Sequence, residues 1–318
     1  MSSSTTITRL QPEHAAAVVD CFRRVYGDTY ANPLFYEAAE LAQALATKRL
    51  CSVGALTGDG RIVGHMAMSL TGPVDTPELG NTVVDPEARG SGIAWQIGAE
   101  LTAWCRELGF VGFLHYPTTG HHIMQRQSVE RGFETGLMLG YIPAETHGKV
   151  GTADKSSRHA ATIVYEPLNS GDARSSYLGG YGAELIRSFA ESCQLRRSWL
   201  TPDRSPRDRS SAAEMTRLPS RGLARSTVRR VGRDVDSVLD DLEVTASPCL
   251  QIDFLMNDSG IEFGVEAARQ RGFFLCGWLP DFRSGDVLRL QKPRIDTTNM
   301  TPDLVNDTAR KLLHWIAR

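Results

Sequence analysis

Residues 89–94 of the chain, Arg-Gly-Ser-Gly-Ile-Ala, have the composition of an anion-binding loop. Gly90 and Gly92 have no Cβ, so the backbone can turn tightly and direct successive N–H groups toward one phosphate. Arg89 can close over the anion, and Ser91 lies between the two glycines. A helix that begins here adds the positive end of its dipole. The segment therefore predicts a pyrophosphate site at the start of a helix.

The residues on either side of this loop indicate a strand before it and a helix after it. Val83 and Val84 are β-branched and typical of the end of a buried strand, and Pro86 stops that strand. After the loop, apolar residues recur at helical spacing from Trp95 to Leu108. The predicted anion site thus lies at a strand-to-helix junction.

The rest of the first half shows a regular succession of hydrophobic patterns and turn residues. The predicted elements are a strand at Thr6–Leu10, a helix from Pro12 to Val25, a helix at Tyr36–Lys48, strands at Cys51–Leu56, Ile62–Leu70 and Glu78–Val84, the loop with its helix, a strand at Phe110–Tyr116, a helix at His121–Arg131, and strands at Glu134–Ile142 and Arg158–Pro167.

Two short motifs connect this half of the chain to a known family. Arg89, Gly92 and Ala94 match the pattern Arg/Gln-x-x-Gly-x-Gly/Ala, which Gly90 and Ile93 also fit, and Arg131-Gly132-Phe133 follows downstream. The segment resembles the acyl-CoA-binding motif of the GNAT superfamily of N-acetyltransferases. The resemblance implies an α/β fold with a central mixed β-sheet flanked by helices. It also implies acetyl-CoA or another acyl-CoA as cosubstrate, bound by Val83, Val84 and residues 89–94.

Part of the first half recurs 140 residues later. The strand Phe110–Tyr116 maps to Leu250–Leu255, Gly120 maps to Gly260, and Arg131-Gly132-Phe133 maps to Arg271-Gly272-Phe273. We therefore expect a tandem GNAT-like fold with domains at 1–168 and 169–318. At the same offset the loop becomes residues 229–234, where Asp234 puts a negative charge at the helix start and would repel pyrophosphate. We expect a degenerate second copy that serves packing and shapes the acceptor side.

Within the second domain, residues 198–223 are rich in Ser, Pro and Arg and poor in large apolar residues. This composition predicts a mobile loop or linker. Its arginines could contact nucleic acid, but Asp203, Asp208 and Glu214 interrupt them and no aromatic residue lies among them. Since the 318-residue chain has a formal net charge of −2, we expect no nucleic-acid partner.

The composition indicates an ordinary globular protein, with 41% hydrophobic and 23% charged residues. No apolar run is long enough to span a bilayer, and the first six residues lack the build of a signal peptide. We therefore expect a cytoplasmic monomer or homodimer with no membrane partner. The six cysteines are scattered without a Cys-x-x-Cys pair, which predicts buried reduced thiols and no metal site.

The candidate catalytic residues follow from what acyl transfer requires. The amine must be neutral when it attacks the thioester carbonyl, and the developing oxyanion needs fixed donors. The resemblance assigns the donors to backbone N–H groups of Val83 and Val84. It places Ser128 where the family commonly has a tyrosine that protonates the leaving thiolate, and a serine is a poorer acid. Ser128 could order a water, another group could act as the acid, or the thiolate could leave unassisted. Ser128 could equally be a plain serine on the helix surface.

Two residues are candidates for the general base. The resemblance places His115 near the end of the strand that separates from the Val83/Val84 strand, and a histidine can take up a proton near neutral pH. A structural role is an equal alternative. Glu78 begins the Val83/Val84 strand, where family members place a base that works through water; it could equally be an exposed carboxylate.

Among aromatic residues, Tyr30 and Tyr36 come from the segment that covers the acceptor pocket in the family, and Tyr116 follows His115, although core packing also explains some of them.

Together these observations predict an acyl-CoA-dependent N-acyltransferase, with acetyl-CoA the expected donor, that acts on a small-molecule amine by direct attack in a ternary complex. Two alternatives remain open. One is a GNAT-like transferase that uses aminoacyl-tRNA, and the other is a non-catalytic acyl-CoA-binding protein, which the serine at position 128 motivates.

Overall fold

A computed structural model describes residues 5–70, 76–120, 122–143, 158–169, 173–203, 205, 208–282, 285–297, 300 and 302–316. The first half contains strands β1 (Thr6–Arg9), β2 (Leu50–Leu56), β3 (Ile62–Ser69), β4 (Glu78–Val84), β5 (Gly112–His115), β6 (Phe133–Ile142) and β7 (His159–Pro167), and helices α1 (Ala15–Tyr26), α2 (Ala38–Ala46), α3 (Ile93–Glu107) and α4 (His122–Val129). The second half contains strands β8 (Arg174–Tyr177), β9 (Arg197–Leu200), β10 (Ala212–Leu218), β11 (Leu223–Arg230), β12 (Cys249–Leu255), β13 (Phe274–Phe282) and β14 (Gly285–Pro293), and helices α5 (Ala183–Ser192), α6 (Val235–Glu243), α7 (Ile261–Gln270) and α8 (Asp307–Ile316).

In the described part of the chain, twelve strands form one mixed sheet in the order β1-β2-β3-β4-β5-β7-β6-β13-β14-β12-β11-β10, and β8 pairs with β9 separately. Neighbouring strands run antiparallel except at β4–β5, β11–β12 and β8–β9, which are parallel. The predicted mixed α/β fold is confirmed. The order of elements predicted for the first half also matches, with boundaries within a few residues; the start of the predicted helix at His121 lies outside the described residues.

The second half of the sheet repeats the connectivity of the first. Strands β3-β4-β5-β7-β6 and strands β10-β11-β12-β14-β13 lie in corresponding order, and each set has one parallel pair. Each set also carries one helix after each strand of its parallel pair. This is the topology that a tandem arrangement requires. The duplication itself, and the boundary at 168/169, which falls between β7 and β8, stay predictions.

The 140-residue offset fails for one strand of the repeat. Phe113 of β5 packs with Ile97 and Leu101 of α3, so it faces the helices. At an offset of 140 it maps to Asp253, but Phe254 is the β12 residue that contacts α7. Because side chains alternate across a strand, Asp253 faces the opposite way. The expectation that these strands are in register at this offset is therefore wrong by one residue.

The two half-sheets meet at a close contact between glycines. β6 and β13 share one registered pair, Gly136 with Gly277. A Cβ on Gly136 would lie 2.5 Å from the carbonyl oxygen of Cys276. Since no real Cβ tolerates that distance, glycine is required for the strands to approach at this point.

Helices cover both faces of the first half-sheet. On one face, α1 and α2 bury Phe22 and Leu41 in a cluster with Val83. On the other face, α3 buries Ile97 and Leu101 against β5. Both faces of β4 are thus covered, which holds its end, and the loop that follows, in place. All six cysteines are buried and free.

The segment 198–223 is not simply a linker. Ala212–Leu218 forms β10, which pairs antiparallel with β11. β10 is an edge strand whose residues are all exposed or half-buried. Polar composition reflects that exposure rather than a lack of structure, because an edge strand needs little apolar surface.

The chain's last described segment packs on the first half. The side chain of Gln125 donates to the carbonyl of Asp303 at 2.9 Å, and His122 also bonds Asp303. Glu134 on β6 accepts from the N–H of Ala309 in the first turn of α8 at 3.1 Å. The other Glu134 oxygen is buried without a partner among the described residues. Burial raises the pKa of this carboxyl to about 7.

Glu134→Gln should make folding stability less dependent on pH. An unfolded glutamate ionises near its ordinary pKa, whereas folded Glu134 holds its proton to about pH 7, so wild-type stability falls as pH rises through that window. Glutamine keeps the acceptor for Ala309 and cannot ionise. We expect Glu134→Gln to be more stable by about 1 to 3 kcal/mol at pH 8 and equal to wild type near pH 4.5. Denaturant unfolding at both pH values measures this, with exposed Glu130→Gln as the control; a constant difference at both pH values would contradict it.

Candidate acetyl-donor and acceptor site

A gap between β4 and β5 is the main feature of the first half-sheet. The two parallel strands are registered at only two pairs, Glu78 with Leu114 and Leu79 with His115. β5 then ends, and Pro117 follows Tyr116. Among the described residues, no strand pairs with the edge of β4 beyond Leu79 on that side. A cleft of about 180 Å³ lies there.

A bulge shapes β4 beside this gap. The pairing of β3 with β4 shifts between His65 and Ala67, and Asn81 has a positive φ of 51°. Nδ1 of His65 donates to the carbonyl of Asn81 at 2.9 Å, and Nε2 accepts from the hydroxyl of Ser52 at 3.1 Å. Burial lowers the pKa of His65 to about 4, so the ring is neutral and can do both. Sequence patterns did not reveal this support, because its residues come from three strands.

The β3–β4 ladder decides which backbone amide faces the gap. Asp85 N–H donates to the carbonyl of Val63 at 2.9 Å. In the same register Val83 lies opposite His65, and Val84 lies opposite Gly64. Since bonded and non-bonded pairs alternate along an antiparallel ladder, the N–H of Val83 points to β3 and that of Val84 points into the gap. The expectation that both amides serve a donor therefore needs correction: Val83 contributes a buried side chain.

The glycine-rich loop lies at the end of β4 and begins α3. Gly90 and Gly92 have φ of 79° and 80°, in the left-handed region, and Gly92 caps α3. Within the described chain, no intrachain acceptor is found for the N–H groups of residues 90–95. Residues 90–92 are also exposed. The loop thus presents a set of free donors at a helix start, which is the arrangement that binds an anion.

A buried carboxylate braces this loop. Asp85 caps the turn before it and accepts from Arg24 at 2.9 Å and Arg61 at 2.7 Å. Burial would raise the pKa of Asp85, but the hydrogen bonds from the two arginines outweigh it and lower the pKa. Arg89 reaches back to the carbonyl of Val84 at 3.3 Å, and the hydroxyl of Ser91 donates to Ala88 at 2.5 Å. The strand-to-loop junction is therefore held by side chains on both sides.

His115 lies in the cleft next to a carboxylate that the sequence did not reveal. It is 6% exposed, and its Nε2 lies 3.3 Å from Oε2 of Glu166 on β7. Glu166 in turn lies 3.5 Å from Nε of Arg131, whose guanidinium stacks on Trp95 of α3. Pairing of β5 with β7 brings Glu166 beside His115, although the two are 51 residues apart. The histidine ring is thus oriented by a fixed acceptor.

Ser128 lines the same cleft. It lies on α4, is 2% exposed, and faces the cavity with His115. The structure therefore brings Ser128 and His115 together, and it excludes the alternative of a solvated surface serine.

A second cavity of about 130 Å³ adjoins the first along Leu79, Gly80 and Asn81. Its lining includes Tyr30, Glu78, Tyr116, Tyr141 and Arg221. Tyr30 donates its hydroxyl to Asn81 at 3.1 Å. Tyr36 lines neither cavity and instead accepts from the N–H of Tyr30 at 2.8 Å. Of the three tyrosines expected to contact an acceptor, two lie at the cavity and Tyr36 supports one of them.

Arg221 reaches this cavity from the second half of the chain. It belongs to the turn before β11, its guanidinium donates to the hydroxyl of Tyr141, and its Nη2 lies 3.7 Å from Glu78. From the sequence, Arg221 is only one of several arginines in the segment 198–223, whose composition predicts a mobile loop or linker. No local pattern could have identified it, because its neighbours come from β4 and β6.

Comparison with known proteins adds a family to this geometry. Residues 16–125 match the model of a family described as the acetyltransferase (GNAT) family. The chain contains a GNAT acetyltransferase domain. The matched residues run from α1 into α4 and include β4, the glycine-rich loop, α3 and β5. A search of curated proteins found no match.

Several solved structures resemble about half of this chain. A GNAT superfamily phosphinothricin acetyltransferase from Sinorhizobium meliloti, in complex with acetyl-CoA, is 19% identical over 52% of this chain and 90% of its own, with a TM-score of 0.41. The ribosomal-protein-S18-alanine N-acetyltransferase from Escherichia coli is 15% identical over 53% and 97%, with a TM-score of 0.42. The PaiA N-acetyltransferase from Thermoplasma acidophilum, in complex with coenzyme A, is 14% identical over 52% and 99%, with a TM-score of 0.38.

In the corresponding loop of the second half, residues 229–234, backbone N–H groups already bond to other residues of the chain. The N–H groups of residues 231–233 donate in turn to Asp258 at 2.5 Å, to the hydroxyl of Ser211 at 2.9 Å and to the carbonyl of Arg209 at 3.1 Å. A Cβ on Gly232 would lie 2.1 Å from that carbonyl. β11 and β12 also pair over six residues, so no gap opens between them. The free loop amides and the gap between parallel strands that the first half shows are thus both missing from this part of the described chain.

Among the described residues, no group of three or more His, Cys, Asp or Glu side chains is arranged to hold a metal ion. None of the described helices is both long and apolar enough to cross a membrane.

Gly92→Asp should abolish acetyl-CoA binding. The substitution forces an L-residue to φ 80° and adds a negative charge among the free amides, although no protein atom lies within 4 Å of the new Cβ. Gly109→Asp is the matched control, since Gly109 has φ 79° and open space but lies at the other end of α3. In isothermal calorimetry, the affinity for acetyl-CoA should be at least about 100-fold weaker in Gly92→Asp than in wild type. The affinity of Gly109→Asp should be unchanged. Unchanged affinity in Gly92→Asp would refute the loop assignment.

The wild-type chain should bind one acetyl-CoA, and Asp234→Gly should not add a second. Asp234 accepts from the N–H of Ser211 at 2.6 Å, which lowers its pKa and keeps it charged. Removing that charge leaves the loop amides occupied and β11 paired with β12. Calorimetric stoichiometry near one in both proteins is expected; a value of two in either would contradict the description of a filled loop.

Proposed function

We propose that this GNAT protein is an acetyl-CoA-dependent N-acyltransferase that acetylates a small-molecule amine by direct attack in a ternary complex. The observation that carries the proposal is the gap after Leu79 and His115, which runs from the free amides of residues 90–95 to a cavity lined by polar and aromatic side chains. The gap has the two ends that such a reaction needs. One end fits a pyrophosphate, and the other admits a small acceptor.

The residues present fit the donor. The free amides of the α3 start and Arg89 would hold the pyrophosphate, and the N–H of Val84 would donate to the pantetheine arm or the acyl carbonyl. Acetyl-CoA supplies an activated acyl carbon: attack by the amine forms the C–N bond, breaks the C–S bond and releases the thiolate. No metal enters this scheme.

His115 accepts the proton of the attacking amine, directly or through a water. Glu166, 3.3 Å from Nε2, orients the ring and stabilises it once it is charged. Ser128 lies in the same cleft, where its hydroxyl can order a water near the leaving thiolate. Glu78 lines the adjoining cavity and is the alternative base.

His115→Gln should reduce turnover by about 100-fold or more while leaving acetyl-CoA affinity unchanged, since a positioned general base contributes about that much. The deficit should shrink at high pH, where more of the acceptor is already neutral. Thiol release with a panel of amines measures the rate, and calorimetry measures donor binding. Glu78→Gln is the comparison variant. Wild-type turnover in His115→Gln together with a large loss in Glu78→Gln would transfer the base role to Glu78.

The same assay tests the non-catalytic alternative. A protein that only binds acyl-CoA would show normal calorimetric affinity and release no thiol with any amine. Such a result would overturn the proposed function while leaving the donor site in place.

A further inference from the structure

The cavity next to the gap contains one carboxylate and one guanidinium among its described lining residues, Glu78 from the first half and Arg221 from the second. The remaining polar lining consists mainly of phenols and amides, so the cavity is close to neutral overall but strongly polarised. A ligand with a single charge would leave one of these groups unmatched.

The position of Arg221 is fixed independently of any ligand. Its backbone carbonyl accepts from Arg158 at 2.6 Å, and its guanidinium lies over the ring of Tyr141, 5.5 Å from the centroid. Pro219 begins the turn, and Gly222 ends it with φ 57°. One Nη donates to the hydroxyl of Tyr141, while the Nη nearest Glu78 is still 3.7 Å away. A distance of 3.7 Å exceeds that of a hydrogen bond, so part of the guanidinium fork can take an external acceptor.

Resting on the proposed function, we propose that Arg221 binds a carboxylate of the acceptor, and that the acceptor is an amino acid or a similar amine that carries a carboxylate beside its amino group. Glu78, 3.7 Å from Arg221 in the same cavity, can accept from the ammonium, and Arg221 makes charge-assisted hydrogen bonds to the carboxylate. Tyr30, Tyr116 and Tyr141 supply an aromatic surface for the rest of the molecule.

The charges also exclude a polycationic acceptor. A molecule with several ammonium groups would meet Arg221 and find a single carboxylate, Glu78, among the described residues that line the two cavities. The other guanidinium in the lining, Arg131, lies on the donor side beside Glu166 and Trp95. Like-charge contact at a half-buried site is unfavourable.

The test compares α-amino acids with the amines that lack only the carboxylate, such as phenylalanine with phenethylamine, in the acetyl-CoA thiol-release assay. Wild type should prefer the amino acids in kcat/KM by at least about tenfold, the usual effect of a charge-assisted hydrogen bond. Arg221→Gln should abolish the preference by raising KM for the amino acid much more than KM for the decarboxylated amine. Arg221→Lys should keep part of it. Exposed Arg217→Gln on β10 is the matched control and should behave as wild type.

Tyr141→Phe separates charge from structural support. It removes the hydrogen bond to Arg221 but keeps the guanidinium, so the preference for a carboxylate should persist. Thermal unfolding and acetyl-CoA calorimetry of each variant report on folding. An Arg221→Gln protein that keeps the preference, or a wild type that acetylates amines without it, overturns the inference and leaves the proposed function standing. A wild type that binds acetyl-CoA but acetylates no amine in the panel overturns both.

Discussion

The early end of pairing between β4 and β5 is the constraint on which the site depends. Two parallel strands that stay together leave no room between them, whereas here they are registered at two pairs and then separate. The separation exposes the N–H of Val84, places the free amides of the α3 start at one end, and leaves His115 beside the opening. The bulge at Asn81, held by neutral His65, keeps β4 on its own side. Helices on both faces of β4 hold the strand in place.

The second half has the same topology, but its parallel strands do not separate early. β11 and β12 pair along six residues, and the loop amides bind the chain's own Asp258, Ser211 and Arg209. A backbone N–H that is already satisfied gains little from an incoming phosphate. The second half therefore has two other roles. It extends the sheet through the contact of Gly136 with Gly277, and it brings Arg221 to the wall of the acceptor cavity.

The charged pairs in the site have different roles at the loop, at the histidine and at the acceptor cavity. At the loop, Arg24 and Arg61 hold Asp85 ionised, which braces the junction and leaves the amide donors free for an anion. At the histidine, Glu166 lies beside both His115 and Arg131, so a single buried carboxylate connects β5, β7 and the turn that follows α4. At the acceptor cavity, Glu78 and Arg221 approach without closing into a hydrogen bond. The same residue types thus support structure at one place and remain available to a ligand at another, and the difference lies in distance and burial.

The sequence by itself determined the features that arise from neighbouring residues. The strand, glycine-rich loop and helix at 83–108 follow from local backbone preferences, since glycine at positive φ and helical periodicity act over a few residues. The order of elements in the first half was predictable for the same reason. Contacts between distant segments were not. Only the tertiary structure decided that residues 212–218 form an edge strand, that β12 is shifted by one residue in the repeat, and that Val84 rather than Val83 faces the gap. It alone placed Glu166 beside His115 and Arg221 beside Glu78, because strand register and the docking of the two halves depend on packing across the whole sheet.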